Sequence, residues 1–224
     1  RQSEVEQLYA QANNDDLCNI LYTSGTTGES KGVMLTYGQY EAALKANDEV
    51  VPLKESDRVI QFLPITHIFE RGWSYLAFSE GCHIIINTNP HDIQQSMRET
   101  HPTCMSSVPR FWEKVYQAVL DKIDRSSVAK QRLFRHALEV GRRYNIDCKR
   151  PSPLLAMEYK LFDKMILRLV RKQIGLENAH LFPTAGATVS PAVERFVHSV
   201  GINMIVGYGL TESLATVSCD REGM

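Results

Sequence analysis

The stretch "LYTSGTTGESKGVMLTY" (Leu21–Tyr37) places a polar, glycine-containing loop between two apolar segments that are typical of strands. Gly25 and Gly28 leave room for the backbone to curl and for a ligand to approach closely. Successive backbone N–H groups in such a turn can form a concave anion site, and Lys31 adds a full positive charge. We therefore predict a strand–loop–strand unit that binds polyphosphate, with a surface hairpin of turn-forming residues as the alternative. The hydroxyl residues of the loop are Thr23, Ser24, Thr26 and Thr27.

This loop is not a Walker-type phosphate loop. Its close glycines are spaced GxxG, and Lys31 is followed by Gly32 rather than by serine or threonine. No helix is predicted to begin here, so a helix dipole is not the expected source of binding. We expect hydroxyl groups and backbone amides to hold the anion.

The composition is that of a globular protein. The 224 residues suffice for one large domain or somewhat more, with 43% hydrophobic and 23% charged residues. No apolar run approaches the roughly 18 residues that span a bilayer. The five cysteines are odd in number and form no CxxC pair, so their spacing indicates neither a disulfide framework nor a zinc site. We expect a reducing, cytoplasmic compartment, with the cysteines buried as small apolar residues.

Charge is distributed unevenly along the chain. The net charge is −1, but residues 121–175 contain 14 Lys and Arg against 6 Asp and Glu. This segment is therefore strongly basic, and the rest of the chain is acidic. Such asymmetry suggests that the basic segment meets an anionic partner.

Short apolar segments alternate with helical patterns along most of the chain. This alternation predicts an α/β fold with a largely parallel sheet layered by helices on both faces. Residues 121–175 lack strand signals and predict a mostly helical basic insert. The predicted strands lie at 17–22, 31–37, 57–65, 82–87, 102–108, 178–186 and 202–209, of which "CHIIIN" (82–87) is expected to be buried.

The order of residues in the polar loop adds a family resemblance. "YTSGTTGESKG" (22–32) resembles the phosphate loop of the adenylate-forming superfamily, which includes acyl-CoA synthetases, luciferases and peptide-synthetase adenylation domains. Ser30 stands where members usually have proline. The resemblance implies that Lys31 takes part in catalysis and that Thr23 is a second magnesium ligand. It also implies an ATP-binding role for Thr23, Ser24, Gly25, Thr26, Thr27, Gly28 and Lys31.

Two further segments resemble nucleotide-binding parts of the same superfamily. "GYGLTES" (207–213) resembles its adenine- and magnesium-binding motif, and "TAGATVSP" (184–191) resembles a segment whose backbone lines the adenine pocket. The first resemblance implies that Tyr208 stacks on adenine, that Thr211 contacts phosphate and that Glu212 binds Mg²⁺ through a hard oxygen ligand. For Glu212 the alternative is a solvated charge at a strand end. The remaining implied ATP-binding residues are Gly186, Ala187, Gly207 and Gly209.

The branch of the superfamily is indicated by "LPITHIFERG" (63–72) and "SVPRFWEKVYQAV" (107–119), which resemble segments of long-chain fatty acyl-CoA synthetases. The resemblance implies that His67 lies near the substrate carboxylate. The alternative is a histidine packed in the core. Four aromatic residues are candidates for an acyl tunnel or, alternatively, for the core: Trp73, Phe78, Phe111 and Trp112.

The activity that the resemblance implies is ATP-dependent activation of a long-chain fatty acid through an acyl-adenylate to acyl-CoA, with ATP, Mg²⁺ and CoA as co-substrate. One alternative is a ligase for another carboxylic acid, and a second is a non-catalytic nucleotide-binding or lipid-surface module. On this resemblance, residues 1–224 are expected to be part of the large N-terminal domain. The ribose-binding motif, the hinge and the C-terminal lid are then expected beyond Met224, and the segment alone is expected to be inactive.

The end of the basic insert carries an amphipathic pattern. In "MEYKLFDKMILRLVRKQIG" (157–175), apolar residues form one stripe beside a row of basic residues. Peripheral contact with an anionic membrane through residues 153–175 is one interpretation, and packing of the stripe on the domain is the other. The stripe comprises Leu161, Phe162, Met165, Ile166, Leu169 and Val170, and the basic row comprises Lys160, Lys164, Arg168 and Arg171.

Overall fold

The computed structural model describes residues 2–24 and 28–220 of the chain. The helices are α1 (Gln2–Gln11), α2 (Tyr37–Asp48), α3 (Ile68–Ser79), α4 (Ile93–Thr100), α5 (Pro109–Asp124), α6 (Val128–Arg142), α7 (Pro153–Phe162), α8 (Arg168–Ile174) and α9 (Pro191–Ser199). The strands are β1 (Leu17–Ser24), β2 (Ser30–Thr36), β3 (Arg58–Gln61), β4 (His83–Ile86), β5 (Phe182–Thr184), β6 (Met204–Tyr208) and β7 (Ser218–Cys219). Short 3-10 turns occur at Pro90–Asp92 and Thr211–Ser213, and π-helical turns occur at Arg143–Asp147 and Asp163–Leu167.

A parallel sheet forms the centre of the described chain. β3 pairs in parallel with β4, and β5 pairs in parallel with β6. The segment 103–107 lies between β3 and β5 because Cys104 bridges both Val59 and Leu181 in parallel. The order is therefore β4, β3, 103–107, β5 and β6, with β7 as an antiparallel neighbour of β6. The predicted sheet is confirmed, although 103–107 contributes single bridges and not a regular strand.

Successive residues of the central strands enter two separate cores, as strands covered on both faces require. Val59 and Ile60 of β3 belong to different clusters, and so do Cys104 and Met105. On one face, α4, α5, α6 and α9 pack around the buried Trp112. On the other face, α3 covers the sheet. The same split recurs at Leu181 and Phe182 and at Met204 and Ile205.

Helix starts follow local sequence. Thr36 caps α2 in a reciprocal box, because the Gln39 N–H donates to Thr36 Oγ1 at 3.3 Å and the Thr36 N–H donates to Gln39 Oε1 at 2.9 Å. Pro109 and Pro191 occupy the first turn of α5 and α9, where proline is tolerated because that N–H has no helical partner. Each of these starts therefore depends on residues at the helix terminus itself.

The basic insert belongs to the core of the domain. Phe134 and Ala137 of α6 and Leu167 of the second π-helical turn are buried with the sheet residues. Gly141 of α6 permits a close crossing with α9, because a Cβ at this position would lie 2.0 Å from the carbonyl oxygen of Ser199. The predicted helical character of residues 121–175 is confirmed.

Two expectations about burial are wrong. β4 is not a buried strand, since its end residues His83 and Ile86 are exposed. The reason is its place at the edge of the sheet, where β3 is its only neighbour among the described strands. Of the five cysteines only Cys104 is buried, and the other four are half-buried. Across residues 2–24 and 28–220, no helix has the length and apolar character needed to cross a bilayer.

Candidate nucleotide-binding site

The polar loop lies between two strands, as predicted, and these strands pair in the antiparallel direction. β1 and β2 form a hairpin in which Thr23 is directly opposite Lys31 and Ser24 is opposite Ser30. Gly28 has a φ of +88°, a backbone conformation that side chains rarely permit. The predicted ATP-binding residues Gly25, Thr26 and Thr27 lie outside the described residues.

The hairpin turns one face towards the rest of the domain. Leu21 and Val33 are opposite each other on this face, and alternation by two residues places Thr23 and Lys31 on the same face. Leu21 and its neighbours on this face are packed, whereas the opposite face is exposed. Thr23 is half-buried and Lys31 is exposed at the open end. The inward face of the hairpin therefore presents a hydroxyl and an ammonium group beside the loop.

A small hydrophobic cluster joins the hairpin to the second nucleotide motif. Leu21 and Leu35 of the hairpin pack with Ile68 of α3, and Leu214 and Ala215 pack against the same cluster. The latter two residues directly follow the 3-10 turn Thr211–Ser213. The two sequence motifs, separated by about 180 residues, thus meet through one set of apolar contacts.

The other predicted nucleotide-binding residues lie together at the carboxyl edge of the parallel sheet. Gly186 and Ala187 follow β5, while Gly207 and Tyr208 end β6, its direct neighbour. Gly186 has a φ of +94° and is exposed. The Tyr208 ring is 60% exposed at this edge, so it is available for stacking on a planar ligand. Carboxyl edges of parallel strands are where ligands of open α/β sheets bind.

Gly209 is held against the turn that follows. A Cβ at Gly209 would lie 1.2 Å from the carbonyl oxygen of Ala215, so no larger residue fits without backbone movement. Leu214 and Ala215 both have positive φ values, 55° and 76°. This tight path fixes the position of Thr211, which is half-buried, and of Glu212, which is exposed. The sequence predicted the motif but not this packing reason for its second glycine.

The residues present fit a magnesium ion that is held mainly by its substrate. The Glu212 carboxylate is exposed on the 3-10 turn, and Thr23 offers a hydroxyl. Within the described residues, Glu212 does not belong to a group of three or more carboxylate, imidazole or thiol ligands. Mg²⁺ characteristically takes one or two protein carboxylates together with phosphate oxygens and water, so a single carboxylate is a suitable donor set.

His67 is next in sequence to a residue of the cluster that joins the two motifs. It immediately precedes α3, and its side chain is exposed and makes no capping hydrogen bond. The next residue, Ile68, packs in the cluster that joins the hairpin to residues 214–215. The alternative of a packed core histidine is therefore wrong.

The four candidate tunnel aromatics have different environments. Trp73 is buried and lines a cavity of about 60 Å³ that also borders Tyr208, Gly207 and Leu214. Phe78 is exposed, and Phe111 and Trp112 belong to the core on the other face of the sheet. Only Trp73 among the four is therefore beside the nucleotide motifs.

Trp112 anchors the start of the segment 184–187, which is predicted to line the adenine pocket, through buried hydrogen bonds. Its Nε1–H donates to Ser107 Oγ at 2.8 Å and to Thr184 Oγ1 at 3.0 Å, and these two hydroxyls are 2.8 Å apart. The Ala185 N–H donates to the Ser107 carbonyl at 3.2 Å. This fully buried network fixes the end of β5 immediately before Gly186.

Glu70 is a buried carboxyl group that sequence reasoning missed. It lies in α3 with 1% of its surface exposed, and the Ser106 hydroxyl donates to its Oε2 at 2.5 Å. Burial raises the pKa of Glu70 to about 7, although the hydrogen bond from Ser106 and the backbone amides of Phe62 and Leu63 act to lower it. A glutamate among apolar residues at helical spacing in "HIFERG" was the available signal.

Comparisons with known proteins show which family the chain resembles in sequence. The family profile described as AMP-binding enzyme matches residues 2–224. The chain is 30% identical over 212 residues to the peroxisomal long chain acyl-CoA synthetase 6 of Arabidopsis thaliana, covering 93% of this chain and 29% of that protein. It is 28% identical over 223 residues to the long-chain-fatty-acid–CoA ligase FadD15 of Mycobacterium bovis, covering 98% of this chain and 37% of that protein.

Solved structures show the same fold. The adenylation domain of a carboxylate reductase from Mycobacterium chelonae matches with a TM-score of 0.66 at 22% identity, over 93% of this chain and 28% of that one. The N-terminal domain of FACL13 from Mycobacterium tuberculosis matches with a TM-score of 0.59 at 18% identity, over 99% of this chain and 46% of that one. The chain spans 29% and 37% of the two relatives cited above. Because the family profile matches almost its whole length, the chain belongs to the AMP-binding enzyme family.

Proposed function

We propose that this chain forms the ATP-binding part of a ligase that activates a long-chain fatty acid as its acyl-adenylate and transfers it to CoA. The observation that carries the proposal is the convergence of the two motifs: the Thr23–Lys31 face of the hairpin and the turn bearing Glu212 pack on one cluster. The long-chain substrate is supported by the two relatives cited above, a long chain acyl-CoA synthetase and a long-chain-fatty-acid–CoA ligase.

In the first half-reaction, a fatty-acid carboxylate oxygen bonds to the α-phosphorus of ATP and the bond to pyrophosphate breaks. Lys31 and the Thr23 hydroxyl are positioned to bind phosphate oxygens and to stabilise the charge on them. The exposed Tyr208 ring orients the adenine, and His67 holds the carboxylate end of the acid beside the phosphate loop. The segment 184–187, held by Trp112, supplies backbone on the adenine side. Glu212 and Thr23 would hold Mg²⁺, which would neutralise negative charge on the phosphates when bound.

In the second half-reaction, the CoA sulfur bonds to the acyl carbon and AMP leaves. The cavity of about 60 Å³ beside Trp73 and Tyr208 is lined mainly by apolar groups and is the place for the first carbons of the acyl chain. It is much smaller than the roughly 300 Å³ of a drug-sized pocket, so the remainder of a long chain must lie outside it.

The experiment is ATP–pyrophosphate exchange by the full-length protein with a series of acids: short-, medium- and long-chain fatty acids and an aryl acid. Exchange that is highest with long-chain acids supports the proposal. Highest exchange with another acid identifies a ligase of different specificity. Retained ATP binding without exchange for any acid indicates a non-catalytic nucleotide-binding module. Residues 1–224 alone serve as a control, from which no thioester is expected.

For the surface of residues 153–175, we propose peripheral contact with the anionic, cytoplasmic face of a membrane. The apolar residues of this segment fall on two different sides of the helices. Phe162, Ile166 and Val170 pack against the core, and the outward side carries large apolar residues that are 50% to 77% exposed. These outward residues are Leu154, Met157, Leu161, Met165 and Leu169, spaced by three or four positions.

The basic residues beside this exposed stripe favour an anionic partner. Lys160, Lys164 and Arg168 are exposed, which complements negative lipid head groups. Arg171 does not belong to this row, contrary to the sequence prediction. Its guanidinium turns inward, forms an ion pair with Asp163 Oδ1 at 2.8 Å and donates a hydrogen bond to the Val200 carbonyl at 2.6 Å. The five cysteines, all free, fit a reducing compartment.

A further inference from the structure

A cluster of three different side chains lies at the opposite edge of the parallel sheet from the nucleotide motifs. Asp57 immediately precedes β3, His180 lies two residues before β5, and Cys104 lies in the extended segment between these strands. Parallel segments place their amino ends at one edge of a sheet, so the three residues lie together at that edge, at the starts of β3, of the 103–107 segment and of β5. Neither the nucleotide site nor the proposed reaction uses any of them.

The Asp57 and Cys104 side chains both lie close to one atom, Nε2 of His180. His180 Nε2 is 2.8 Å from Asp57 Oδ1 and 3.3 Å from Cys104 Sγ. All three potential ligand atoms lie within 4.8 Å of one another, and within the described part of the chain this is the only group of three or more such residues that is so arranged. One carboxylate oxygen, one sulfur and one imidazole nitrogen therefore lie close enough together to contact a single ion.

This arrangement is not that of a nucleophilic triad. In such a triad the histidine uses one ring nitrogen for the nucleophile and the other for the carboxylate. Here the thiol and the carboxylate both approach Nε2, so the imidazole cannot relay a proton between them. Burial, followed by the nearby Asp57 charge, raises the pKa of the Cys104 thiol to about 12, which also makes a nucleophilic thiolate unfavourable.

We infer that Asp57, Cys104 and His180 bind a divalent transition-metal ion of the zinc class. Thiolate, imidazole and carboxylate are together the ligand set that this class of ion prefers. A cation between the three ligand atoms interacts with all three groups at once. The bound ion links the starts of β3, of the 103–107 segment and of β5. Its three ligands are 47 and 76 residues apart in sequence.

The surroundings orient the ligands in the way that metal sites require. The Thr103 hydroxyl donates to Asp57 Oδ1 at 2.7 Å, and the Lys54 N–H donates to Asp57 Oδ2 at 2.9 Å. These bonds hold the carboxylate towards the cluster, as outer hydrogen bonds do around metal ligands. Burial acts to raise the pKa of Asp57, but the hydrogen bonds from His180, Thr103 and Lys54 outweigh it, so the pKa is below its usual value and the carboxylate is ionised.

Access to the cluster is from the His180 side. Asp57 and Cys104 are buried, whereas the His180 side chain is 47% exposed. His180 also borders a cavity of about 460 Å³ together with Glu49 and Pro52. An ion can therefore enter beside the imidazole, and water from this cavity completes a four-coordinate shell.

The test is titration of the full-length protein with Co²⁺, whose absorption reports thiolate coordination directly. We expect one equivalent to give a thiolate-to-cobalt charge-transfer band and the visible bands of a four-coordinate ion, both removed by Zn²⁺. Cys104→Ser and His180→Asn should each abolish the charge-transfer band or weaken the affinity at least about tenfold. Cys148→Ser is the matched control, since Cys148 is half-buried and lies outside the cluster, and it should retain the spectrum.

Proton release gives a second readout. Binding must deprotonate the Cys104 thiol, so one proton is released per ion and the affinity should rise about tenfold per pH unit between about pH 7 and 9. His180→Asn changes a half-exposed residue, so its circular dichroism should remain that of the wild type even if Cys104→Ser impairs folding. No charge-transfer band in the wild type overturns the inference, and so does an unchanged band in either cluster variant. These readouts do not depend on ligase activity, so the two proposals fail separately.

Discussion

Lys31 lies directly opposite Thr23 in the β1–β2 hairpin, and both side chains are on the face that also carries the buried Leu21. This pairing fixes a cation and a hydroxyl at the base of the loop, on the side of the hairpin that packs towards the second motif. The hairpin therefore supplies orientation as well as charge.

Lys31→Ala should reduce ATP–pyrophosphate exchange by the full-length protein by about 100-fold, because a positioned cation that stabilises developing phosphate charge is removed. The melting temperature should not change, since Lys31 is exposed at the end of the hairpin. Lys45→Ala is the control, because Lys45 is an exposed helix lysine paired with Glu41 and away from the loop. Equal exchange rates for Lys31→Ala and the wild type at subsaturating ATP would remove Lys31 from the site.

Glu212→Gln should raise the Mg²⁺ concentration that gives half-maximal exchange by about tenfold or more, because a neutral amide is a weaker ligand for a hard cation. The KM for the fatty acid should change much less. Glu99→Gln, at an exposed glutamate of α4, is the control. A normal magnesium dependence in Glu212→Gln would show that Glu212 is only a solvated surface charge.

Gly209→Ala should lower the free energy of unfolding by at least about 2 kcal/mol, because the new Cβ meets the Ala215 carbonyl oxygen at 1.2 Å. Gly207→Ala is a matched control two residues away, where the closest atom would be 3.7 Å from the Cβ. It should change stability by less than about 1 kcal/mol. Denaturant unfolding of both variants measures the difference, and equal losses would contradict the packing reason given for Gly209.

The parts of the molecule that the sequence predicted are those encoded locally. The hairpin and the two nucleotide-binding motifs at the carboxyl edge each depend on residues close together in the chain. The Glu70–Ser106 contact spans 36 residues, so no local pattern indicates it. The same holds for the Asp57–His180 contact, which spans 123 residues.

The sequence also could not predict which of the apolar residues are exposed. A run such as "CHIIIN" is equally compatible with a central strand and with an edge strand, and only the number of neighbouring strands decides. In the π-helical turn Asp163–Leu167, Ile166 and Met165 are adjacent and both apolar, yet Ile166 packs on the core and Met165 is exposed. Helical spacing alone cannot separate them when the apolar stripe is wide.

Stability should depend on pH through Glu70. Because the pKa is raised from an ordinary 4.5 to about 7, the folded protein binds a proton more tightly than the unfolded chain does. This contribution is fully present below about pH 4.5 and is lost as the pH rises through about 7, at a cost of up to about 3 kcal/mol. Glu70→Gln should mimic the protonated state and remove this part of the pH dependence. The difference in unfolding free energy between variant and wild type, measured at pH 5 and pH 8, isolates the effect, and an identical difference at both values would contradict it.

Membrane contact through residues 153–175 should appear as co-sedimentation of the full-length protein with anionic vesicles but not with neutral ones. Each lysine or arginine at a membrane surface contributes about 1 kcal/mol, so reversing Lys160, Lys164 and Arg168 to glutamate should weaken partitioning at least about 100-fold. Added salt should weaken it as well, because exposed charges are screened.

Two further variants separate charge from apolar insertion. Leu161→Asn with Met165→Asn removes exposed apolar area while keeping the basic row, and it should also release the protein from vesicles. Reversal of Lys45, Lys54 and Arg195, all exposed and outside the stripe, changes net charge equally and should leave binding nearly intact. Equal recovery of wild-type protein in the supernatant with both vesicle types would exclude the membrane, and the exposed stripe would then have to be covered by protein.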